Sequence, residues 1–508
     1  MNELLGSLIH VFAWQNLLFM VIGIFVGLVA GGLPGISVTL AVALMIPFTF
    51  GLPPEAAILM LIGVYCAGTY AGSVGAVLMK TPGTAASAAT AEDGFALAQQ
   101  GKASSALNMS LYASVAGGLI SGLILLFAAP QVAKFALNFG PPEYFALALF
   151  GLTIIASISG KSLAKGIVMA CLGMLVAVVG IDSITGSARL TFNVTTLLSG
   201  INIVPALIGL FAIAEILRQV EKGAKSISTT TEVEKEKFGW NNLMPYKKTI
   251  FKSSIIGAII GAIPGTGGAI ASFISVNEAK RSSKTPEEFG KGSMDAVAAS
   301  ESGNNGTTGA TLIPMLTLGV PGDVVTAVLL SSLLIQGIQP GPQLFETHGP
   351  LVYTIMFGFI LVNILMFFIV KSTIRWFSTI TLIPSYVLFP LIFVLCLVGS
   401  YAFNNSMSSV WIALVFGVIG YILPKFGYPV IPMVIAIILG PMAEQAFRQS
   451  LVMSGDSLLI FIQRPIAAVF LVLAFLSAFL PIYNRFRQSS LEKKQKKNQK
   501  HKEQAAAI

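Results

Sequence analysis

The chain has 508 residues, of which 55% are hydrophobic and only 10% charged, with a mean hydropathy of +0.82 and a formal net charge of +9. Soluble proteins carry about 25% charged residues, so a string of water-soluble domains is excluded, and the apolar content excludes intrinsic disorder. The three cysteines, Cys66, Cys171 and Cys396, each sit in an apolar run, which excludes a disulfide scaffold and leaves an all-α polytopic membrane protein.

The chain opens Met-Asn-Glu, without a basic segment or a small-residue cleavage site, so the first span is expected to be retained. Apolar segments then follow near 17–47, 55–79, 107–130, 142–160, 163–182, 200–218, 252–275, 302–340, 351–370, 378–400, 407–424, 427–445 and 458–481. A spanning helix needs about 20 apolar residues, and several of these are too long or too broken for one straight helix. The expectation is about 10–12 transmembrane helices with re-entrant or broken segments among them.

Charge is concentrated in windows at 215–252, 278–301 and 485–508, with eight basic residues in each of 218–252 and 485–502. Concentration in loops and a tail argues for cytoplasmic, lipid-facing segments by the positive-inside rule, and against a nucleic-acid partner. The predicted organisation is a first transmembrane half over 1–218, a charged cytoplasmic linker over 219–252, a second transmembrane half over 253–484 and a basic cytoplasmic tail over 485–508.

The halves echo each other. Gly27-Leu-Val-Ala-Gly-Gly-Leu-Pro-Gly35 returns as Gly257-Ala-Ile-Ile-Gly-Ala-Ile-Pro-Gly265, and Gly72-Ser-Val-Gly-Ala-Val-Leu78 as Gly306-Thr-Thr-Gly-Ala-Thr-Leu312. Thr81-Pro-Gly83 is matched by Val320-Pro-Gly322. Three motifs kept in order at nearly constant spacing predict a two-fold internal repeat. Small residues alone would serve close helix packing. Proline removes a backbone donor, however, and broken backbone at membrane depth survives only inside protein or beside a water-filled cavity. Paired interruptions of this kind mark the binding site of a secondary transporter.

The breaks therefore supply the candidate residues. Free N–H groups at helix starts suit a carboxylate, and unwound carbonyls and hydroxyls suit an alkali cation. The predicted substrate-binding set is Gly32, Pro34, Gly35, Lys80, Thr81, Pro82, Gly83, Pro264, Gly265, Thr266, Asn304, Asn305, Pro321 and Gly322. Thr39, Glu301 and Asp323 are the cation-coupling candidates. For any one Thr the structural alternative is a bond to its own helix backbone, and for Glu301 it is membership of the 278–301 charged loop. Lys80 and Asp323 are expected either to pair across the two halves or to divide carboxylate and cation between them, and Leu33-Pro34-Gly35 is expected to face Ile263-Pro264-Gly265. His10 and His348 are isolated, so no metal beyond a Na⁺ ion is expected, and no cofactor. The P-loop pattern is missing, which argues against ATP drive. A gated channel for small anions is the alternative, and a membrane-embedded enzyme a weaker one, since no paired catalytic constellation occurs.

Three longer stretches carry a resemblance: Lys80-Thr-Pro-Gly-Thr-Ala-Ala-Ser-Ala-Ala-Thr-Ala-Glu-Asp-Gly94, Ala299-Ser-Glu-Ser-Gly-Asn-Asn-Gly306, and Leu312-Ile-Pro-Met-Leu-Thr-Leu-Gly-Val-Pro-Gly322 followed by Gln336-Gly-Ile-Gln-Pro-Gly-Pro342. With Gly-Gly-Leu-Pro-Gly35 they resemble the large membrane subunit of tripartite tricarboxylate transporters over about residues 17–445. The resemblance implies inverted repeats and a permease in the bacterial inner membrane. It also implies carboxylate import driven by a Na⁺ or H⁺ gradient, with a periplasmic substrate-binding protein and a small four-helix membrane subunit as partners. In that family Asn is usual two residues before the first Pro-Gly and Ser directly after the second; Lys80 and Asp323 stand there in this chain.

Overall fold

A computed structural model describes residues 2–33, 36–158, 162–182, 185–222, 238–380 and 385–479. Pro34 and Gly35, residues 223–237 of the linker and the tail from 480 on lie outside the described residues. The first part of the chain forms α1 (Asn2–Val11), α2 (Trp14–Gly32), α3 (Val38–Met45), α4 (Pro54–Met79), α5 (Ala88–Gln99), α6 (Ala103–Ala136), α7 (Pro141–Ile158), α8 (Leu163–Ala177) and α9 (Ile203–Glu221). The second part forms α10 (Lys247–Gly261), α11 (Gly267–Ser282), α12 (Met294–Ala310), α13 (Leu312–Leu318), α14 (Val324–Ile335), α15 (Gly349–Ile380), α16 (Ser385–Asn404), α17 (Met407–Lys425), α18 (Ile431–Ser454) and α19 (Pro465–Phe479). Among the described residues seven helices are long and apolar enough to cross a membrane: α2, α4, α6, α9, the Gly349–Thr373 part of α15, α17 and α18. The protein is an all-α, multi-pass membrane protein; its one described sheet is a two-residue hairpin pairing Gly180–Ile181 with Ala188–Arg189.

The chain forms two compact units, each drawing on both sequence halves. One comprises Met1–Asn138 with Val179–Phe426 and holds every break described below. The other comprises Phe139–Val178 and the chain from Gly427 on. In this second unit Gly173 of α8 lies against the Met433 backbone of α18, and Phe145 packs its ring 5.0 Å from both Phe447 and Phe461.

Glycine spacing sets the packing of the first unit. Gly23, Gly27 and Gly31 recur every four residues, one face of a helix, and bring the α2 backbone against Met60, Val64 and Gly68 of α4. Both series rise together, so α2 and α4 run parallel. A Cβ on Gly27 would stand 2.9 Å from the Gly68 nitrogen, closer than a real side chain tolerates. The second half repeats the arrangement: Gly257 meets the Gly303 and Gly306 backbone, and Gly261 that of Thr307, so α10 runs parallel to α12. Between them α11 turns back. Lys252 on α10 reaches Glu278 on α11 at 2.5 Å, which makes α10 and α11 an antiparallel hairpin with Ile263-Pro264-Gly265 at its tip. At its open end, outside the membrane-spanning part, the Lys252 hydrogen bond holds the Glu278 carboxyl below the usual carboxylate range.

The Pro-Gly turns match in geometry as well as in sequence. α4 ends at Lys80 in the left-handed conformation (φ 54°), and α13 ends at Gly319 in the same conformation (φ 70°). Four residues on, Thr84 and Ser87 cap each other's N–H groups, each at 3.1 Å. Asp323 and Thr326 do the same at 2.8 and 2.7 Å, opening α14 with a capping box. Each pair is offset by 239 residues. Both turns also fold back onto their own half: Gly83 N–H donates to the Gly72 carbonyl at 3.0 Å beside the Gly31 carbonyl, and Gly265 N–H donates to the Gly322 carbonyl at 2.7 Å.

Candidate functional site

α12 is the centre of the first unit and its least expected helix. Ser293 caps it, and Asp295 sits in its first turn and accepts from Thr249 at 2.8 Å. From Ala296 to Ala310 every residue is buried, including Ser300, Glu301, Ser302, Asn304, Asn305, Thr307 and Thr308. No lipid touches this stretch, so its hydroxyls and amides must find partners within the protein. Thr307 and Thr308 bond the carbonyls three residues back, at 2.7 Å each, and Ser302 the carbonyl four back.

Glu301 is fully buried, and the side chains that donate to its carboxylate come from the first half. Thr90 of α5 donates to Oε1, and Ser114 of α6 donates to Oε2 at 3.0 Å. Ser110 and Ser73, 2.6 Å from each other, flank the same carboxylate. The ion pairs of the described residues do not include Glu301. Asn305, one turn on, donates to Ser114 at 2.9 Å, while its Oδ1 is buried without a partner. Asn304 Nδ2 is likewise buried and unpartnered, and its Oδ1 faces Gly268 on the α10–α11 hairpin, close to Ala86 of the first half.

A second bridge joins the halves at the other turn. Tyr65 of α4 donates to Asp323 Oδ2 at 2.7 Å and lies 3.3 Å from Thr311. A third is Asp93 of α5, 2% exposed, whose Oδ1 accepts from the N–H groups of Gly290, Gly292 and Ser293 at 2.8, 3.0 and 2.8 Å. Gly290 and Gly292 both have positive φ (85° and 110°), the backbone that aims these N–H groups at one oxygen.

Of the residues expected from the sequence, Thr81, Gly83, Gly265, Gly322, Asn304, Asn305 and Glu301 lie at or beside these breaks. Thr81 Oγ1 is buried without a partner, Pro264 and Pro321 are buried, and Pro82 is exposed. Gly32 is buried at the end of α2, and Thr39 is half-buried on α3. Thr266 turns its hydroxyl onto the Ile260 and Ile263 carbonyls within the hairpin tip. The expected ion pair of Lys80 with Asp323 is not formed: the Asp323 carboxylate is taken by Tyr65 and Thr326, and exposed Lys80 sets its ammonium 5.8 Å over the Phe95 ring. The expected facing of the two Leu/Ile-Pro-Gly breaks involves Pro34 and Gly35, which lie outside the described residues. Thr90, Ser110, Ser114, Ser73 and Tyr65 were not expected; the signal available for α6 was Ser110, Ser114 and Ser121 on one face beside Gly117 and Gly118.

Paired helix breaks, a hairpin turned at Pro-Gly and a buried polar helix fit the construction of a membrane permease. The chain belongs to the tripartite tricarboxylate transporter TctA family, whose model matches residues 17–435. It is 34% identical over 453 residues to an uncharacterised 52.8 kDa protein of the TAR-I ttuC′ 3′ region of Agrobacterium vitis, covering 89% of this chain and 90% of that one. A second protein of that organism, uncharacterised and from the TAR-II ttuC′ 3′ region, is 33% identical over 231 residues, 46% of this chain and 96% of its own length. No solved structure matches the chain significantly. Family membership identifies a transporter permease component rather than an enzyme.

Proposed function

We propose that this chain is the large permease subunit of a binding-protein-dependent secondary transporter that imports a tricarboxylate or related organic acid across the bacterial inner membrane, coupled to a Na⁺ or H⁺ gradient. A periplasmic substrate-binding protein delivers the acid, and a small four-helix subunit completes the membrane complex. The observation that carries the reading is α12: a helix buried along its polar length between two broken halves, with Asn304 Nδ2 unpartnered and Glu301 without a countercharge. An unpartnered donor buried this deeply is costly unless a ligand uses it. Asn304, the Gly265 and Gly322 turn and the Thr81–Gly83 turn are the proposed carboxylate contacts, with Glu301 on the cation side. The basic composition of the linker and tail supports a cytoplasmic side for both ends of the second half.

Reconstitution with the two partner subunits tests this. Vesicles preloaded with unlabelled acid are expected to exchange it for labelled acid with saturation, and Asn304→Ala is expected to abolish the exchange while the protein remains folded. Non-saturable flux would mean a channel, and high-affinity uptake by the purified chain alone would remove the binding protein from the scheme.

A further inference from the structure

We propose that Glu301 carries the coupling proton, with Thr90 and Ser300 as a hydroxyl relay that satisfies the carboxyl both charged and neutral. This rests on the transport reading above and fixes which cation that reading requires.

The relay is a line of oxygens at hydrogen-bond separation. Glu301 Oε1 contacts Thr90 Oγ1; Thr90 Oγ1 lies 2.8 Å from Ser300 Oγ; Ser300 Oγ lies 3.1 Å from the Val297 carbonyl. In the anion, Ser300 donates to Thr90, Thr90 donates to Oε1, and Ser114 donates to Oε2. When a proton binds Oε1 the line reverses. Oε1–H then donates to Thr90, Thr90 to Ser300, and Ser300 to the Val297 carbonyl. One O–H bond forms on Glu301 and is broken again on release, the proton arriving from and leaving to water. The other hydroxyls only rotate, and no heavy atom has to move. Buried polar groups are costly when unpaired, so a site satisfied in both states is suited to reversible protonation.

Sodium fits the same oxygens poorly. An alkali cation needs several oxygen lone pairs turned onto it. To turn theirs onto an ion, Thr90 and Ser114 would have to swing their protons away and give up the bonds they donate to the carboxylate, whereas a proton leaves these hydroxyls paired.

The other titratable groups around α12 leave the proton to Glu301. From α4 the Tyr70 phenol lies near the carboxyl, its hydroxyl buried without a hydrogen-bond partner. From α5, Asp93 is turned to the 290–293 backbone and Glu92 toward Gly290. From α6, Tyr112 is turned to Lys371 at 3.1 Å. On α10 and α11, Lys252 and Glu278 are paired with each other at the loop end, and Asp295 on α12 itself accepts from Thr249. Because Thr90 and Ser114, which donate to the Glu301 carboxylate, belong to the first half and the carboxyl to the second, its charge also decides how tightly the halves hold: hydrogen bonds to an anion are about twice as strong as neutral ones. Protonation loosens that seam.

Two measurements decide the proposal. Infrared difference spectra of the purified chain in nanodiscs, taken through a pH titration, are expected to contain a protonated-carboxyl band that is lost in Glu301→Gln. A spectrum with the same band in wild type and Glu301→Gln overturns the assignment, as does a band that Na⁺ removes at constant pH. In proteoliposomes holding all three subunits, Glu301→Gln is expected to lose uptake driven by an inward pH gradient while still exchanging acid for acid. Gradient-driven uptake that survives in Glu301→Gln, or that follows Na⁺ and ignores pH, also overturns it. If wild type exchanges no carboxylate, the transport reading falls while the infrared titration still decides the proton site. Should Glu301→Gln not fold, Ser114→Ala, which keeps the carboxyl and removes one donor, must shift the band; an unmoved band counts against Glu301.

Discussion

α4 and α12 occupy corresponding places in the two halves and are both buried, yet they are made of opposite materials. α4 is apolar along most of its length, with Tyr65, Thr69, Tyr70 and Ser73 as its main polar side chains. α12 has a run of hydroxyls and amides around the Glu301 carboxylate, with Asp295 in its first turn and only Met294 and Val297 as larger apolar residues. What they share is backbone contact through glycine, which needs no particular side chain on the helix opposite. The difference teaches that membrane depth selects for satisfied groups rather than for apolar ones: once α6, α10 and α11 enclose α12, its polarity costs little as long as each group has a partner. The half that lacks this polarity supplies the partners.

The shared feature is the place to break both helices alike, and with the largest effect. Gly31→Val and Gly257→Val each drive a side chain into the backbone of the facing helix, at Gly68 and Gly303. Overpacking of this kind costs about 1–3 kcal/mol or more, since backbone cannot rotate away. Both variants are expected to lower the melting temperature and the folded yield by similar amounts, measured by size-exclusion chromatography after heating. A large loss for one and none for the other would mean the two helix pairs are not equivalent.

The next test probes the bridge from α4 to the opposite turn. Tyr65→Phe, Asp323→Asn and the double variant form a cycle around the 2.7 Å bond between them. A hydrogen bond to a charged group contributes about 1.5–3 kcal/mol, and the coupling energy from thermal unfolding is expected in that range. Asp323→Asn also weakens the α14 cap, an effect the cycle cancels. A coupling near zero would leave the Tyr65 contact without a role in holding the halves.

These bridges also mark where the sequence was readable. The breaks, the repeat and the polar run from Glu301 to Thr308 were legible because proline, glycine and a lone carboxylate in apolar surroundings are locally unusual. The partners of that run were not. Thr90 and Ser114 lie 211 and 187 residues from Glu301, and a hydroxyl on an apolar helix usually bonds its own backbone, as Thr69 does to the Tyr65 carbonyl. At Asp323 the local cap was the part not read: Thr326, three positions on, makes it the first half of a capping box. Its repeat counterpart is Thr84, not Lys80.

A smaller effect is expected at Asp93, where the bridge is one oxygen serving three N–H groups of the loop before α12. Asp93→Asn keeps the size and one acceptor but removes the charge that strengthens each bond. A loss of about 1–2 kcal/mol is expected, together with faster hydrogen exchange at Gly290, Gly292 and Ser293. Unchanged exchange there would show that the loop is held by something other than Asp93.

The smallest effect, and the one that separates stability from transport, is at the residue where the two turns differ. Lys80 and Gly319 hold the same left-handed conformation at the ends of α4 and α13, at φ 54° and 70°. Glycine adopts it freely, whereas a side-chain-bearing residue pays roughly 1–2 kcal/mol in Cβ crowding. Glycine also has the more flexible unfolded chain, which returns part of that gain. Lys80→Gly is therefore expected to raise stability by about 0.5–1 kcal/mol, the net of the two effects. If the lysine were only a helix end, transport by the complex would be unchanged. As a proposed carboxylate contact, its ammonium is exposed and engaged only with the Phe95 ring, so it is free to meet an anion. The expected outcome is a more stable protein with weakened substrate affinity, read as a raised concentration for half-maximal exchange. A stabilised variant with wild-type exchange would assign Lys80 to the turn alone, and an unstabilised one would mean that the turn does not carry the strain its backbone angle implies.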